Sequence, residues 1–548
     1  MATLNNEIKR QIGQHFVFGF HGFDLNDDIK SLLRDYYVGN VILMKRNVKD
    51  ATQVRKLVCD LQTFARSCGH EKPLLIGIDQ ENGLVSAFSS LTAGTQFPGA
   101  MAMAATGSAE LAEKVAVSCG QELKLVGINW VYSPVADVNS DPRNPVIGVR
   151  SFGDDPETVA RFACAVSRGL ASTGVAPCAK HFPGHGDTHV DSHVGLPKIM
   201  KNIQALKQTE LVPFEALVNL GVASVMTGHM ALPLMTGGDV PSSLSAVLTR
   251  KLLRQEMKYE GVVVTDCLEM DAVASVEKGG IGVEEGAVRA LEAGADVAMI
   301  CHTYQRQVGS VKAVWKAIEH GRLEMERLRE GRQRIAKMKD AFGGSWDEVT
   351  DANLSGFEER WKDIKARNTE LSRDAYRRST TLAWDHGGVL PLKRNAPGVM
   401  VLFTPEIESL NRAVDDAEEL QRTPSGAIRN TAGASYRAFA RAVGKQTRMR
   451  HIVYSMGDVT VDLRGEGEEL SGIIFVLRNA NRAVWQRQIL GEVLKQRTKE
   501  VALVVVSSCE PYDVVGEEIE KKEELVAHVL TYEFTTAALE AAAEMMFV

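Results

Sequence analysis

Several things are scarce in this chain. Among 548 residues there are 8 cysteines and 17 prolines, and aromatic residues make up 6%. The cysteines (59, 68, 119, 164, 178, 267, 301 and 509) are scattered and form no paired motif. That excludes a disulfide framework and reads as reduced, mostly buried thiols. No apolar run reaches the ~18 residues of a membrane span. Met1 to Phe20 lacks the layout of a secretory leader, because Glu7, Lys9 and Arg10 interrupt it. There is no Lys/Arg-rich tract, and the net charge is −7. Neither nucleic acid nor an anionic membrane is expected as a partner. Low-complexity segments and internal repeats are also missing. The expectation is a soluble cytoplasmic protein.

Hydrophobic residues make up 45% and charged residues 24%, an ordinary globular balance. The length calls for more than one core. Short apolar runs occur at His15–Gly19, Asn40–Met44, Pro73–Asp79, Trp130–Val138, Val175–His181, Val222–Thr227, Gly261–Asp266 and Asp296–Cys301. Helical patterns separate them, among them Ala51–Ser67, Ser108–Val126, Pro156–Ser172, Ile203–Asn219 and Arg306–His320. The runs are continuous rather than alternating, as strands covered on both faces should be. Eight such units predict a (β/α)8 TIM-type barrel over residues 1–345, with a doubly wound open sheet as the competing fold. A charged helical linker is expected over 346–378, with Trp361 and Tyr376 as packing anchors. A smaller α/β sandwich domain is expected over 379–548, built on a five-stranded layer.

Polar residues collect where barrel strands end. Asp79, Asp137, Lys180, His181, His229, Asp266 and His302 all fall at or just past such ends, where barrel active sites lie. The densest stretch is Lys180-His181-Phe182-Pro183-Gly184-His185-Gly186-Asp187-Thr188-His189-Val190-Asp191-Ser192-His193. Four histidines spaced by four suggest zinc on a helix. Pro183, Gly184 and Gly186 deny that helix, so no metal is expected. Acid/base chemistry fits better, since imidazole titrates near neutral pH. Asp191 could fix the tautomer of His193, and Asp266 could act as a nucleophile across the mouth.

These segments resemble glycoside hydrolase family 3, in its β-N-acetylglucosaminidase branch. Lys180 to Thr188 with Asp191-Ser192-His193 carries most of the likeness. Ile78-Asp79-Gln80-Glu81, Ser133 to Val138, Asn144 to Gly148, Arg150 to Gly153, Thr265-Asp266 and Leu371 to Leu392 add to it. The resemblance implies Asp266 as nucleophile, His193 as acid/base and Asp191 as its dyad partner. It implies Asp79, Arg150, Lys180 and His181 as sugar-binding residues, with Asp137 a further one and His229 as pocket lining. His185 and His189 are left to shape the loop. Asn82, Gly83, Leu84 and Ala87 depart from the usual pattern, which favours a plain N-acetylglucosaminide or chitin oligomer over a cell-wall peptide conjugate; Cys267 replaces a frequent aspartate and leaves the nucleophile segment otherwise intact.

The implied activity is a retaining exo-β-N-acetylglucosaminidase that needs no cofactor and acts on a small carbohydrate. The alternatives are a phosphorylase using phosphate as acceptor, a β-glucosidase, or a non-catalytic sugar-binding protein. Oligomeric state is not legible.

Overall fold

The computed structural model describes residues 4–188, 195–351, 356–406, 432–457, 463, 467–514 and 525–547. His189, Asp191 and His193 of the predicted loop lie outside them.

Eight parallel strands close into a barrel: β1 Phe16–Phe18, β2 Asn40–Leu43, β3 Leu75–Ile78, β4 Trp130–Val131, β5 Ala176–Phe182, β6 Ser224–Thr227, β7 Val262–Cys267 and β8 Val297–Ile300. β1 pairs with β8 and the other neighbours follow chain order, so the open sheet is excluded. All eight predicted runs are strands. Helices between them are stopped and started by local chemistry. Asp50 accepts the Gln53 amide at 2.8 Å and begins Ala51–Ser67, while Asp155 accepts the Thr158 amide at 2.9 Å and Pro156 opens Pro156–Ser172.

Two expectations need correction. The fourth strand ends at Val131 rather than Val138. Pro134 has no amide hydrogen for the ladder, and beyond it the chain meets β5 only through isolated bonds such as Ala136 N to Lys180 O at 2.6 Å. The predicted helix Ile203–Asn219 is two helices, Ile203–Gln208 and Leu211–Leu220. Pro213 cannot donate, and its ring excludes the helical position of the Thr209 carbonyl.

The barrel interior is filled by Val17, Ile42, Leu75, Trp130, Tyr132, Met226, Val264 and Met299. Burying each aliphatic side chain contributes roughly 1.5–3 kcal/mol. Trp130 stays satisfied there by donating Nε1–H to Ser224 Oγ at 2.8 Å. At the opposite end from the polar strand tips, Asp296 is buried. It accepts from the Val263 amide (2.8 Å), Arg254 (2.5 Å) and Arg334 (2.9 and 3.0 Å).

The long helix Phe357–Ser379 crosses from the barrel to a second sheet. Trp361 packs edge-on against Phe88, and the Tyr376 hydroxyl donates to Glu533 at 2.7 Å. Among the described residues the second sheet has six strands, not five: β9 Thr381–His386, β10 Val399–Pro405, β11 Met449–Tyr454, β12 Leu470–Leu477, β13 Leu503–Ser507 and β14 Val526–Leu530. Their order is β9-β14-β13-β12-β10-β11, with β9 an antiparallel edge. Helices Gly433–Gly444 and Thr536–Met546 cover one face, and Trp485–Gln496 covers the other. The first of these apolar layers continues into Leu84, Met101 and Val149 of the barrel loops, so the second sheet is packed against the barrel mouth.

Candidate active site

A cavity of about 810 Å³ opens at the C-terminal ends of the barrel strands. Asp79, Glu81, Arg150, Lys180, His181, His185 and Asp266 line it together with Leu84, Met226, Met270 and Met299. These polar groups come from the ends of four strands, β3, β4, β5 and β7, which is how a barrel gathers residues distant in sequence.

Asp266 sits near the end of β7. Its Oδ1 accepts the Cys267 amide at 2.7 Å, and its Oδ2 lies 4.0 Å from His181 Nε2. Burial pushes its carboxyl up, but His181, His229, the Cys267 amide and Lys180 outweigh that and hold it below the ordinary range. The group is therefore anionic at neutral pH.

His181 is aimed by Asp137. The imidazole Nδ1 donates to Asp137 Oδ2 at 2.7 Å, which leaves Nε2 facing Arg150 Nη2 at 3.4 Å and Asp266. Asp137 Oδ1 takes the amides of His181 (3.1 Å) and His185 (2.7 Å). Asp137 is among the expected sugar-binding residues, and here its oxygens are turned to these partners. Its side chain is 0% exposed and its oxygens are committed to the β5 turn. Burial favours its neutral form, and the His181 and His185 contacts reverse that, keeping its carboxyl below the usual range.

Lys180 and Arg150 converge on Glu81. Lys180 Nζ is 2.7 Å from both Asp79 and Glu81, and Arg150 meets Glu81 in a bidentate pair at 2.7 and 2.9 Å. Burial alone would raise the Glu81 carboxyl, but the two cations bring it down to about 2. Both cations are held correspondingly above their ordinary values despite burial. Asp79 keeps 29% of its side chain exposed, so of this group it is the carboxylate best presented to a ligand. In the sequence Glu81 stands out only as part of the Ile78-Asp79-Gln80-Glu81 motif. Its place two residues after Asp79 was the available signal, since alternate residues beyond a strand end can share a face.

His229, expected to line the pocket, is buried. Its ring nitrogens meet Ser243 Oγ (2.8 Å) and the Cys267 carbonyl (2.9 Å).

The loop after β5 is fixed up to Thr188. Gly186 passes so close to Val138 that a Cβ there would lie 1.6 Å from its carbonyl oxygen. Asn144 Nδ2 donates to the carbonyls of His185 (2.8 Å) and Gly186 (2.9 Å) and reaches Thr188 Oγ1 at 3.2 Å. Burial drives the His185 imidazole down to about 4, so at neutral pH it is an uncharged partner of Thr188 Oγ1 at 2.9 Å. Asn144 is in turn held by the second sheet. Arg482 Nη1 donates to its carbonyl at 2.7 Å, Arg482 Nη2 pairs with Glu510 at 3.0 Å, and Asn481 donates to the Pro142 carbonyl at 3.1 Å.

The geometry defines a parallel (β/α)8 protein with a carboxylate-rich pocket at its strand ends and a second α/β sheet at its mouth. Residues 6–338 match the glycosyl hydrolase family 3 N-terminal domain, and the chain belongs to that family. It is 32% identical over 399 residues to β-hexosaminidase A of Pseudoalteromonas piscicida, a match covering 69% of this chain and 64% of that relative. It is 33% identical over 287 residues to a β-hexosaminidase of Thiobacillus denitrificans, covering 51% of this chain and 76% of the relative. Among solved structures, a family 3 β-N-acetylglucosaminidase from Paenibacillus superposes with a TM-score of 0.80 at 30% identity, covering 99% of this chain and 97% of that one. A fungal multi-domain family 3 β-N-acetylglucosaminidase superposes with a TM-score of 0.83 at 35% identity, covering 98% of this chain and 59% of that one.

Proposed function

We propose that this protein is a retaining exo-β-N-acetylglucosaminidase that releases terminal β-linked N-acetylglucosamine. The observation that carries the reading is the buried, anionic Asp266 carboxylate on the wall of the cavity at the strand ends. A carboxylate held ionised and aimed by the Cys267 amide is suited to attack an anomeric carbon. The names of the relatives support the same substrate class.

In the first step Asp266 forms a bond to the anomeric carbon while the glycosidic bond breaks. The proton for the departing oxygen comes from His193, paired with Asp191. In the second step His193 takes a proton from water, the water oxygen bonds to the anomeric carbon, and Asp266 leaves as carboxylate. Asp79, Lys180, Arg150 and His181 face the sugar hydroxyls. Glu81 pairs with both cationic heads, and Asp137 sets the His181 tautomer.

The test is hydrolysis of an aryl β-N-acetylglucosaminide followed by proton NMR. The first-formed sugar should be the β-anomer, and Asp266→Ala should lose at least about 1,000-fold in kcat. An α-anomer, or full activity in the variant, refutes the mechanism. Running the reaction with and without phosphate separates the acceptors: phosphate-dependent sugar 1-phosphate would replace water by phosphate. Faster cleavage of the aryl glucoside would make the enzyme a β-glucosidase.

A further inference from the structure

The cavity holds a second cluster that glycoside cleavage leaves idle. Cys267 ends β7, one residue past Asp266. Cys301 and His302 follow β8. The two sulfurs and one ring nitrogen lie within 4.8 Å of one another, and all three residues line the cavity that contains Asp266. Both cysteines are buried and neither is in a disulfide, while His302 reaches solvent. Glu269 clasps the two strand ends together: its carboxylate accepts the amides of Cys301 (3.0 Å), His302 (2.6 Å) and Thr303 (3.1 Å) and lies 3.9 Å from Cys267 Sγ. Arg46 secures the same turn, donating to the Cys301 carbonyl at 2.6 Å and to the Phe20 carbonyl at 2.9 Å.

We propose that Cys267, Cys301 and His302 bind a divalent cation of the zinc class, and that the bound cation inhibits turnover at Asp266. Two thiolates and an imidazole select a borderline or soft metal over magnesium or calcium, which take oxygen ligands. On binding, each thiol releases its proton to solvent as its sulfur bonds the metal, and His302 supplies a ring-nitrogen lone pair. The fourth position faces the cavity and takes water. Metal–ligand bonds of about 2.0–2.3 Å require donors roughly 3.5 Å apart, so the side chains close by about 1 Å. His302 gives up its 3.1 Å contact with Arg46 Nη1, and Arg46 keeps its other two acceptors. The Cys267 amide orients Asp266, so drawing Cys267 onto a metal displaces the carboxylate and sets a cation beside it. The inhibitory part rests on the glycosidase reading; the binding part does not.

The experiment uses the full chain, stripped with a chelator and titrated with Co²⁺ and Zn²⁺. Co²⁺ should saturate with a thiolate-to-metal charge-transfer band in the near ultraviolet, which Zn²⁺ abolishes by displacement. Cys301→Ser should lose most of that band, and His302→Ala should weaken Co²⁺ binding by at least about tenfold. In the unaltered chain Zn²⁺ should shield Cys267 and Cys301, but not the other cysteines, from alkylation mapped by peptide mass; this reading stands even if a variant does not fold. Zn²⁺ should lower aryl N-acetylglucosaminide turnover by at least about tenfold, reversed by chelator. Co²⁺ binding without a sulfur band, or alkylation indifferent to Zn²⁺, overturns the site. A sulfur band with undiminished turnover overturns the inhibition. A chain with no glycosidase activity but a sulfur band counts against the proposed function and leaves the site standing.

Discussion

His181 Nε2 stands 4.0 Å from Asp266 Oδ2 because the other nitrogen of that imidazole is tied to Asp137 at 2.7 Å. One buried carboxylate thus aims the ring that faces another carboxylate. Asp137→Asn removes the charge and one clear acceptor for Nδ1–H. We expect kcat/KM to fall about 10–100-fold, since the ring is no longer held in one orientation. Steady-state kinetics on an aryl N-acetylglucosaminide, with a thermal melt to confirm folding, check this. Unchanged kcat/KM in a folded variant contradicts the assigned role.

The pH profile should reflect the depressed carboxyl of Asp266. Burial opposes ionisation, but His181, His229 and the Cys267 amide prevail. The acidic limb of kcat/KM, read in the free enzyme, should therefore fall below the ordinary aspartate value of about 3.9 if Asp266 alone sets it. Rates measured downward from neutral pH, with stability monitored alongside, test the point. An Asp266 limb well above pH ~4 would show that burial wins.

Glu81 gives a stability prediction with a definite sign. Its folded carboxyl is depressed to about 2 from an ordinary 4.5. A depressed acid stabilises the fold above its unfolded value, and that contribution is lost as pH falls through the folded one. Glu81→Gln should therefore destabilise by roughly 3 kcal/mol at neutral pH, with the difference closing between about pH 4.5 and 2. Urea unfolding of both proteins at several pH values measures it; a constant difference across that window would contradict the linkage.

Arg482 should matter for leaving groups rather than for folding of the barrel. It holds Asn144, and Asn144 holds the carbonyls of His185 and Gly186 just before the segment that carries Asp191 and His193. If that segment supplies the proton, Arg482→Ala should cost about tenfold on a poor leaving group such as an unactivated disaccharide. A dinitrophenyl glycoside, which leaves without protonation, should be cleaved nearly as before. Equal losses on both substrates would assign Arg482 a purely structural part.

Asp296 tests the opposite end of the barrel. It is buried between Arg254 and Arg334 and accepts the Val263 amide. Asp296→Ala strands two cations, so unfolding should become easier by about 3–5 kcal/mol while kcat per folded molecule stays unchanged. Denaturant titration combined with active-site counting separates the two effects.

The sequence by itself determined the barrel and its eight strands, because continuous apolar runs between amphipathic helices have few other ways to be buried. It also marked Asp79, Lys180, His181 and Asp266 as pocket groups, because barrel topology sends strand-end residues to one mouth. Tertiary structure decided the rest. Asp137 stands at a strand end like the others, yet the chain turns at Pro134 and its carboxylate closes over the β5 amides instead of opening to a ligand. Glu81 became the centre of the charge network only when Lys180 and Arg150, 99 and 69 residues later in the chain, were folded against it. The same holds for Cys267 and Cys301, which share no motif and meet only because β7 and β8 are neighbours in the barrel. Hydrophobic period reports which residues are buried; which polar atoms then satisfy one another depends on strand order and register, and that is set in three dimensions.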